Sequence, residues 1–360
     1  MEIFSCGTKI IAGPGAIGYL KELGAKRLLL VTDPFFMKNG TARKVAEASG
    51  AEQYEIFDKV RPDPSVELAA EGTARIREFC PDLIAALGGG SAMDCAKAMA
   101  YFGGGNYPLV AIPTTSGSGS EVTDFAILTH GGVKHPLVDE KLRPAVAILD
   151  SDLLQELPRG LIADAGYDVL AHALEAWVAS KAGAVSDCLA KEAFRMAMRV
   201  LPGSFAGEKD VRLDMHKAAT MAGMAFSQAG LGLCHAMAHS LGGLFHVPHG
   251  RLNAILLPAV VDVNAQGSLH KYAQLARESG FTGAGDTMAV RNLRNGLVRL
   301  RRDLQLPDTL AQAGVDVKAL RSQEQKIVET VLLDPCCETN PVKVEPHMVR
   351  QVLSEVAGRG

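Results

Sequence analysis

Residues 168–250 gather side chains able to hold a metal. Asp168-x-x-x-His172 sets a carboxylate and an imidazole four positions apart, so on a helix both leave one face with Cβ atoms about 5–6 Å apart. Cys234-His235-Ala236-Met237-Ala238-His239 follows, then Pro248-His249-Gly250. One carboxylate and up to three imidazoles in otherwise apolar sequence suit a borderline divalent ion such as zinc or ferrous iron. Protein ligands that leave one coordination position open make a Lewis-acid site. Taken singly, an Asp-x-x-x-His pair is more often a helix-surface hydrogen bond. The flanks Leu231, Leu233, Met237 and Leu241 also suit a core helix with hydrogen-bonded histidines. The combination favours a catalytic metal. Periodicity alone pairs His235 with His239, and leaves open whether His239 or His249 completes the set. His249 reads as part of a turn, and His246 has no partner at useful spacing.

Two glycine-rich segments carry a second chemistry. The run Leu83–Leu87 leads into Gly88-Gly89-Gly90-Ser91, with Asp94 and Lys97 on the helix that follows. Glycines at a strand–helix junction let backbone N–H groups approach a phosphate, which the helix N-terminus favours. The spacing is neither G-x-G-x-x-G nor the Walker pattern, and a tight turn capped by Ser91 explains it equally well. The next strand runs into Pro113–Thr123 (PTTSGSGSEVT), dense in hydroxyls and glycines that can wrap a pyrophosphate and ribose, or form a mobile loop. Two such loops after consecutive strands place a nucleotide at the carboxyl edge of a sheet. Asp33, directly after Arg27–Thr32, can accept from an adenosine ribose and would repel a 2′-phosphate, favouring NAD over NADP. It can equally open a turn before Pro34.

The elements that must position these groups change in kind near residue 155. Before it, short β-rich runs (Arg27–Thr32, Tyr54–Phe57, Leu83–Leu87, Leu109–Pro113, Ala145–Leu149) alternate with helical patterns at 40–49, 66–79 and 91–102. That alternation predicts βαβ units and a mostly parallel, Rossmann-like sheet over 1–157. After Pro158 the sequence turns Ala-, Leu-, Met- and Glu-rich. Asp164–Ala182, Ser186–Val200, Asp210–Ser227, Leu233–Phe245 and Pro346–Ala357 read as helices, giving an all-α metal-binding domain over 158–360. The 360 residues are enough for two cores, and a net charge of −3 argues against a nucleic-acid partner. Seven scattered cysteines without a Cys-x-x-Cys pair read as reduced thiols in a cytoplasmic setting, with residence in a bacterial microcompartment left open. No secretory signal and no membrane-spanning run are evident.

Gly88–Lys97 (GGGSAMDCAK), Pro113–Thr123, Tyr167–Trp177 (YDVLAHALEAW), Gly230–Gly250 (GLGLCHAMAHSLGGLFHVPHG) and Asp334–Pro341 (DPCCETNP) together resemble the iron-containing (group III) alcohol dehydrogenase family over essentially the whole chain. Within that family the chain looks most like the short 1-propanol dehydrogenases of propanediol utilisation. The resemblance implies a dehydroquinate-synthase-like architecture. It puts the metal ligands on Asp168, His172, His235 and His249, and leaves His239 near the nicotinamide as a catalytic proton relay. It implies NAD(H) contacts from Asp33, Asp63, Gly89, Gly90, Ser91, Asp94, Thr114, Thr115, Ser118, Thr123 and Lys134. Phe125, Phe226 and Cys336 match positions near the substrate. Asp63 stands where many members have Asn, and Val342 where Arg is common. The implied activity is metal-dependent hydride exchange between NAD(H) and a short primary alcohol or aldehyde, with Fe2+ the implied metal, Zn2+ the other candidate, and a homodimer the implied assembly. Lactaldehyde or diol reduction by the same machinery, or a non-redox dehydroquinate-synthase-like reaction, are the alternatives.

Overall fold

Runs such as Leu83–Leu87 (LIAAL), apolar at every position, suit strands covered on both faces. In the computed structural model, which describes residues 4–131 and 133–358, they form the middle of a sheet. The strands are β1 (Lys9–Ala12), β2 (Arg27–Thr32), β3 (Gln53–Phe57), β4 (Leu83–Gly88), β5 (Leu109–Pro113), β6 (Phe125–His130), β7 (Val133–Val138) and β8 (Val146–Leu149). Helices α1 (Pro34–Lys38), α2 (Thr41–Ala48), α3 (Val66–Phe79) and α4 (Gly90–Gly103) connect them. Six strands pair in parallel in the order β1-β8-β5-β4-β2-β3. Side chains alternate across the sheet: Leu28 and Leu30 pack with Val45 and Ile112 on one face, Leu29 and Val31 with Ile76, Met93 and Met99 on the other.

β2 and β4 lie side by side, but β2 connects through α1 and α2 to β3, and β4 connects through α4 to β5 on the opposite side. Connections that diverge from adjacent strands open a crevice at their carboxyl ends, where α/β sheets bind ligands. Asp33, Gly88–Ser91 and Thr114–Ser118 all follow strands ending at that edge. The antiparallel hairpin β6–β7 was not expected from the periodicity. Its signal is the Gly131-Gly132 dipeptide between two runs of β-compatible residues.

The chain divides into two compact units, one spanning Ser5–Leu157 and the other comprising the chain from Pro158 onward together with Phe4. Among its described residues the second unit is helical: α5 (Arg159–Val178), α6 (Ala184–Ala206), α7 (Arg212–Ala229), α8 (Leu233–Phe245), α9 (His249–Glu278), α10 (Asp286–Asp303), α11 (Val317–Ser322), α12 (Glu324–Leu332) and α13 (Pro346–Val356). α5 packs against α6, α7 and α9 and is buried from Ile162 to Val178 except at Ala165. A helix buried all round should be apolar all round. The polar residues Asp164, Asp168, His172 and Glu175 are therefore departures that must be matched by partners.

His249 is the first residue of α9, with Pro248 as its N-cap, rather than part of a free turn. Proline's fixed φ suits a helix start, which explains why a turn-like tripeptide opens α9, a helical run broken by a kink at Ser268. Arg251 clamps α9 to α5, its Nε and one terminal nitrogen donating to the two carboxylate oxygens of Asp164 at 3.1 and 2.9 Å. Between these residues Gly250 lies so close to α5 that an added Cβ would collide with the Asp164 carbonyl oxygen. Gly250→Ala is expected to lose about 1–3 kcal/mol of stability in urea unfolding, since backbone cannot yield as a side chain can. Gly243→Ala in α8, where an added Cβ meets open space, should change stability by less than about 1 kcal/mol and in the favourable direction.

Candidate metal and cofactor sites

Asp168 and His172 lie on the inner face of α5, and Glu175 completes the series at i, i+4 and i+7. α8 contributes His235 and α9 contributes His249. Donor atoms of Asp168, His172 and His235 fall within 4.8 Å of one another. Asp168 Oδ1 lies 3.7 Å from His235 Nε2 and 3.6 Å from His249 Nε2. His172 stacks on His235 with ring centroids 4.5 Å apart.

These donors fit a divalent ion. The two separations from Asp168 Oδ1 exceed a hydrogen bond and approach the roughly 3.4 Å edge of a tetrahedron built on metal–ligand distances of about 2.1 Å. The set is three nitrogens and one oxygen, all buried or partly buried. Burial by itself opposes ionisation of Asp168, but His172, His249 and His235 outweigh it and hold the carboxyl well below the usual range. Burial likewise works against a proton on His235, yet Asp168 and Glu175 prevail and raise it to about 9. For His249 burial dominates and the imidazole is pushed well below its ordinary value.

Spacing left two histidines competing, and the structure separates them. His249 stands against Asp168, whereas His239 faces Asp334, with Nδ1 2.8 Å from Oδ2. His239 thus groups with Asp334 and Cys336, while its ring stacks on His249 at 5.3 Å between centroids. The Cys336 thiol is pushed well above its ordinary range, first by burial and then by the Asp334 charge. Phe226 stacks on His172 at 4.4 Å and supplies an apolar wall to the donors. Phe125 opens β6 in the sheet unit.

Three residues that the motif reading passed over organise this centre. Glu175 accepts from the N–H groups of Cys234 (2.6 Å) and His235 (3.3 Å), and its Oε2 lies 2.6 Å from His235 Nδ1. Asn340 Oδ1 accepts from Leu233 N–H at 3.0 Å, so the first three amides of α8 are capped from other elements. Asn253, one turn after His249, donates from Nδ2 to Asp168 Oδ1 at 2.6 Å. That nitrogen also lies 3.3 and 3.2 Å from Nε2 of His235 and His249. Glu175 and Asn253 were legible as polar positions at helical spacing from Asp168 and His249. Asn340 is distant in sequence and carried no such signal.

The second candidate site lies in the sheet unit. The N-cap of α4 is Gly89, not Ser91, and this end has no side-chain cap, so the amides ahead of Ala92, whose own N–H bonds to the Gly89 carbonyl, can face an anion. A Cβ at Gly89 would come within 3.2 Å of Thr115 Oγ1, and one at Gly90 within 3.2 Å of the Ser118 side chain. Hydroxyls and bare backbone thus form a cradle that fits a pyrophosphate. Thr114 N–H donates to Gly88 carbonyl at 2.9 Å and ties the two segments together. Asp33 caps α1 through Oδ1, with 2.8 Å to Phe35 N–H, while Oδ2 faces Gly88. Lys134 and Asp63 form an ion pair at 2.6 Å. Asp94 and Thr123 turn inward: Asp94 accepts from Ser120 Oγ and Ile127 N–H, and Thr123 Oγ1 from Lys97.

Comparison with known proteins covers both units. Residues 7–151 match the family described as iron-containing alcohol dehydrogenase, and residues 162–357 match its C-terminal part. The chain is 38% identical to the 1-propanol dehydrogenase of Citrobacter freundii, covering 99% of this chain and 100% of that protein. It is 36% identical to an NADPH-dependent butanol dehydrogenase of Clostridium saccharobutylicum, covering 98% and 97%. Among solved structures, sulfoacetaldehyde reductase from Bifidobacterium kashiwanohense in complex with NAD+ superposes with a TM-score of 0.90 at 25% identity, covering 100% of each chain.

A histidine whose second nitrogen is held by a carboxylate binds metal more tightly, and losing that partner typically costs about 10–100-fold in affinity. Glu175→Gln is therefore expected to weaken metal retention by about that factor in a chelator-competition titration, with Glu175→Ala weaker still. Unchanged retention in both variants would separate Glu175 from the metal centre.

Proposed function

The chain belongs to the iron-containing alcohol dehydrogenase family, and on that premise we propose that it interconverts short-chain primary alcohols and aldehydes with NAD(H), using a metal held by Asp168, His172, His235 and His249. The carrying observation is the buried convergence of Asp168, His172 and His235, their donor atoms within 4.8 Å of one another, with the half-buried His249 Nε2 3.6 Å from Asp168 Oδ1. When bound, the metal supplies Lewis acidity toward the substrate oxygen and the nicotinamide supplies hydride chemistry.

The chain's own residues do the rest. Glu175 takes the Nδ1 proton of His235 in a hydrogen bond, which fixes the tautomer and aims Nε2 toward Asp168. Asp334 does the same for His239, leaving its Nε2 to hold or pass the proton that alcohol oxidation releases. Phe226 gives the centre an apolar wall that suits a short aliphatic substrate. Gly89, Gly90 and Ser91 at the start of α4, with Thr114, Thr115 and Ser118, hold the pyrophosphate and ribose. Lys134, anchored by Asp63, would contact the nicotinamide ribose when the cofactor is bound.

For the metal we propose Fe2+. Cys234, the thiol nearest these donors in sequence, is buried against Asn253 and pushed well above its ordinary range by that burial. Donors limited to nitrogen and oxygen suit ferrous iron as well as zinc. We also propose a homodimer, on the family resemblance; a monomer in light scattering overturns it.

Anaerobic protein given Fe2+ is expected to oxidise NADH with propionaldehyde, and Asp168→Ala to abolish both bound metal and turnover. Loaded protein inactive with short aldehydes but active with lactaldehyde would move the substrate to the hydroxyaldehydes. Inactivity with every aldehyde would overturn the redox reading. Asp33 repels a 2′-phosphate, so NADH should be preferred to NADPH. Glycine costs an N-cap only a few tenths of a kcal/mol, so Asp33→Gly should narrow that preference while leaving α1 in place. Equal kcat/KM for both cofactors in the unmodified protein would remove Asp33 from the site.

A further inference from the structure

Lys97 is the one fully buried lysine among the described residues, with no exposed surface. It lies on α4, and the three N–H groups of its ammonium are shared among four acceptors within hydrogen-bonding distance: Ser120 Oγ (2.9 Å), Thr123 carbonyl (3.0 Å), Thr123 Oγ1 (3.0 Å) and Phe125 carbonyl (2.8 Å). The acceptors on Ser120 and Thr123 belong to the stretch between the hydroxyl-rich Pro113–Ser118 segment and β6, and the Phe125 carbonyl is on the first residue of β6. Asp94, one turn earlier, accepts from Ser120 Oγ at 2.8 Å and from Ile127 N–H at 3.1 Å. One face of α4 therefore grips 120–127 through a cation and an anion, while the start of the same helix forms the glycine cradle.

Burying an ammonium is costly, and here burial draws Lys97 down to about 8 despite the opposing charges of Asp94, Glu121 and Asp124. A fold that only needed to fill this space could do so with an apolar side chain. The lysine instead shares its N–H groups among two backbone carbonyls and two hydroxyls, from the short 3-10 turn Ser120–Val122 to the start of β6 at Phe125.

We propose that Lys97 is a positioning residue for the dinucleotide site, its ammonium fixing Ser120–Phe125 so that Thr115 and Ser118 are held against Gly89 and Gly90 in one arrangement. The inference rests on the reading that this edge binds NAD(H). A side chain that locks a ligand-contacting segment acts on binding, and small displacements of such segments are amplified.

The test is NADH titration of the metal-loaded protein, followed by its fluorescence and by calorimetry. Lys97→Met is expected to raise the NADH Kd by about tenfold or more, with Ser120→Ala producing a smaller rise in the same direction. The loss should fall on Kd and on KM for NADH, with kcat at saturating NADH, KM for aldehyde and bound metal holding near their original values. A merely structural lysine would instead lower the active fraction and leave the NADH KM unmoved. Should Lys97→Met not fold, Lys97→Met with Asp94→Asn removes both buried charges together and carries the same measurement. A folded variant that binds NADH within about twofold of the unmodified protein overturns the proposal. Unmodified protein that binds no NADH overturns the cofactor reading and the inference with it.

Discussion

A carboxylate in an apolar interior is tolerated only when its oxygens are engaged. Glu175 meets that condition by capping the first turn of α8 and holding the His235 ring, two tasks that share one side chain. The negative charge is also favourable at a helix N-terminus. The orientation of His235 is therefore coupled to where α8 begins, and through Asp168 to the inner face of α5. The Arg251–Asp164 clamp and the close crossing at Gly250 then bring His249 to the same point. Remove the buried carboxylate and the start of α8 loses its cap together with the imidazole's anchor.

The sheet unit obeys a different constraint. Its parallel strands must be covered on both faces, so their connections diverge, and the divergence between β2 and β4 leaves an edge lined by backbone rather than side chains. Backbone amides suit a pyrophosphate, but they need glycines to be approached and a supporting layer to stay put. Thr114 bonded to Gly88, and Lys97 with Asp94 behind Ser120, supply that layer. The two chemistries thus rest on separate cores, one organised by a buried carboxylate and the other by a buried ammonium.

Much of this was legible in the sequence because periodicity reports burial. The two-sided strands were readable within a few residues of their ends, as were α5, α7, α8 and α13, whereas α6 runs on to Ala206 and α9 to α12 were not singled out. Asp168 and His172 were readable because four residues is a helical repeat. Spacing also paired His235 with His239, but it could not show that His239 meets Asp334, 95 positions away. His249 looked like a turn because proline and glycine flank it, yet the proline caps a helix and the glycine permits a close crossing. Asn340 left no trace in periodicity, since its partner Leu233 lies 107 positions off in sequence. What local pattern cannot carry is the identity of a partner brought in by the fold.

Asp63 has a left-handed backbone, φ 55°, in the segment where it pairs with Lys134. Aspartate and asparagine are the two non-glycine side chains best suited to that conformation. Exchanging one for the other preserves the turn while adding or removing the charge that anchors the lysine. Position 63 is in effect a dial: the charge that meets Lys134 can be reset by a single substitution that leaves the chain's path untouched.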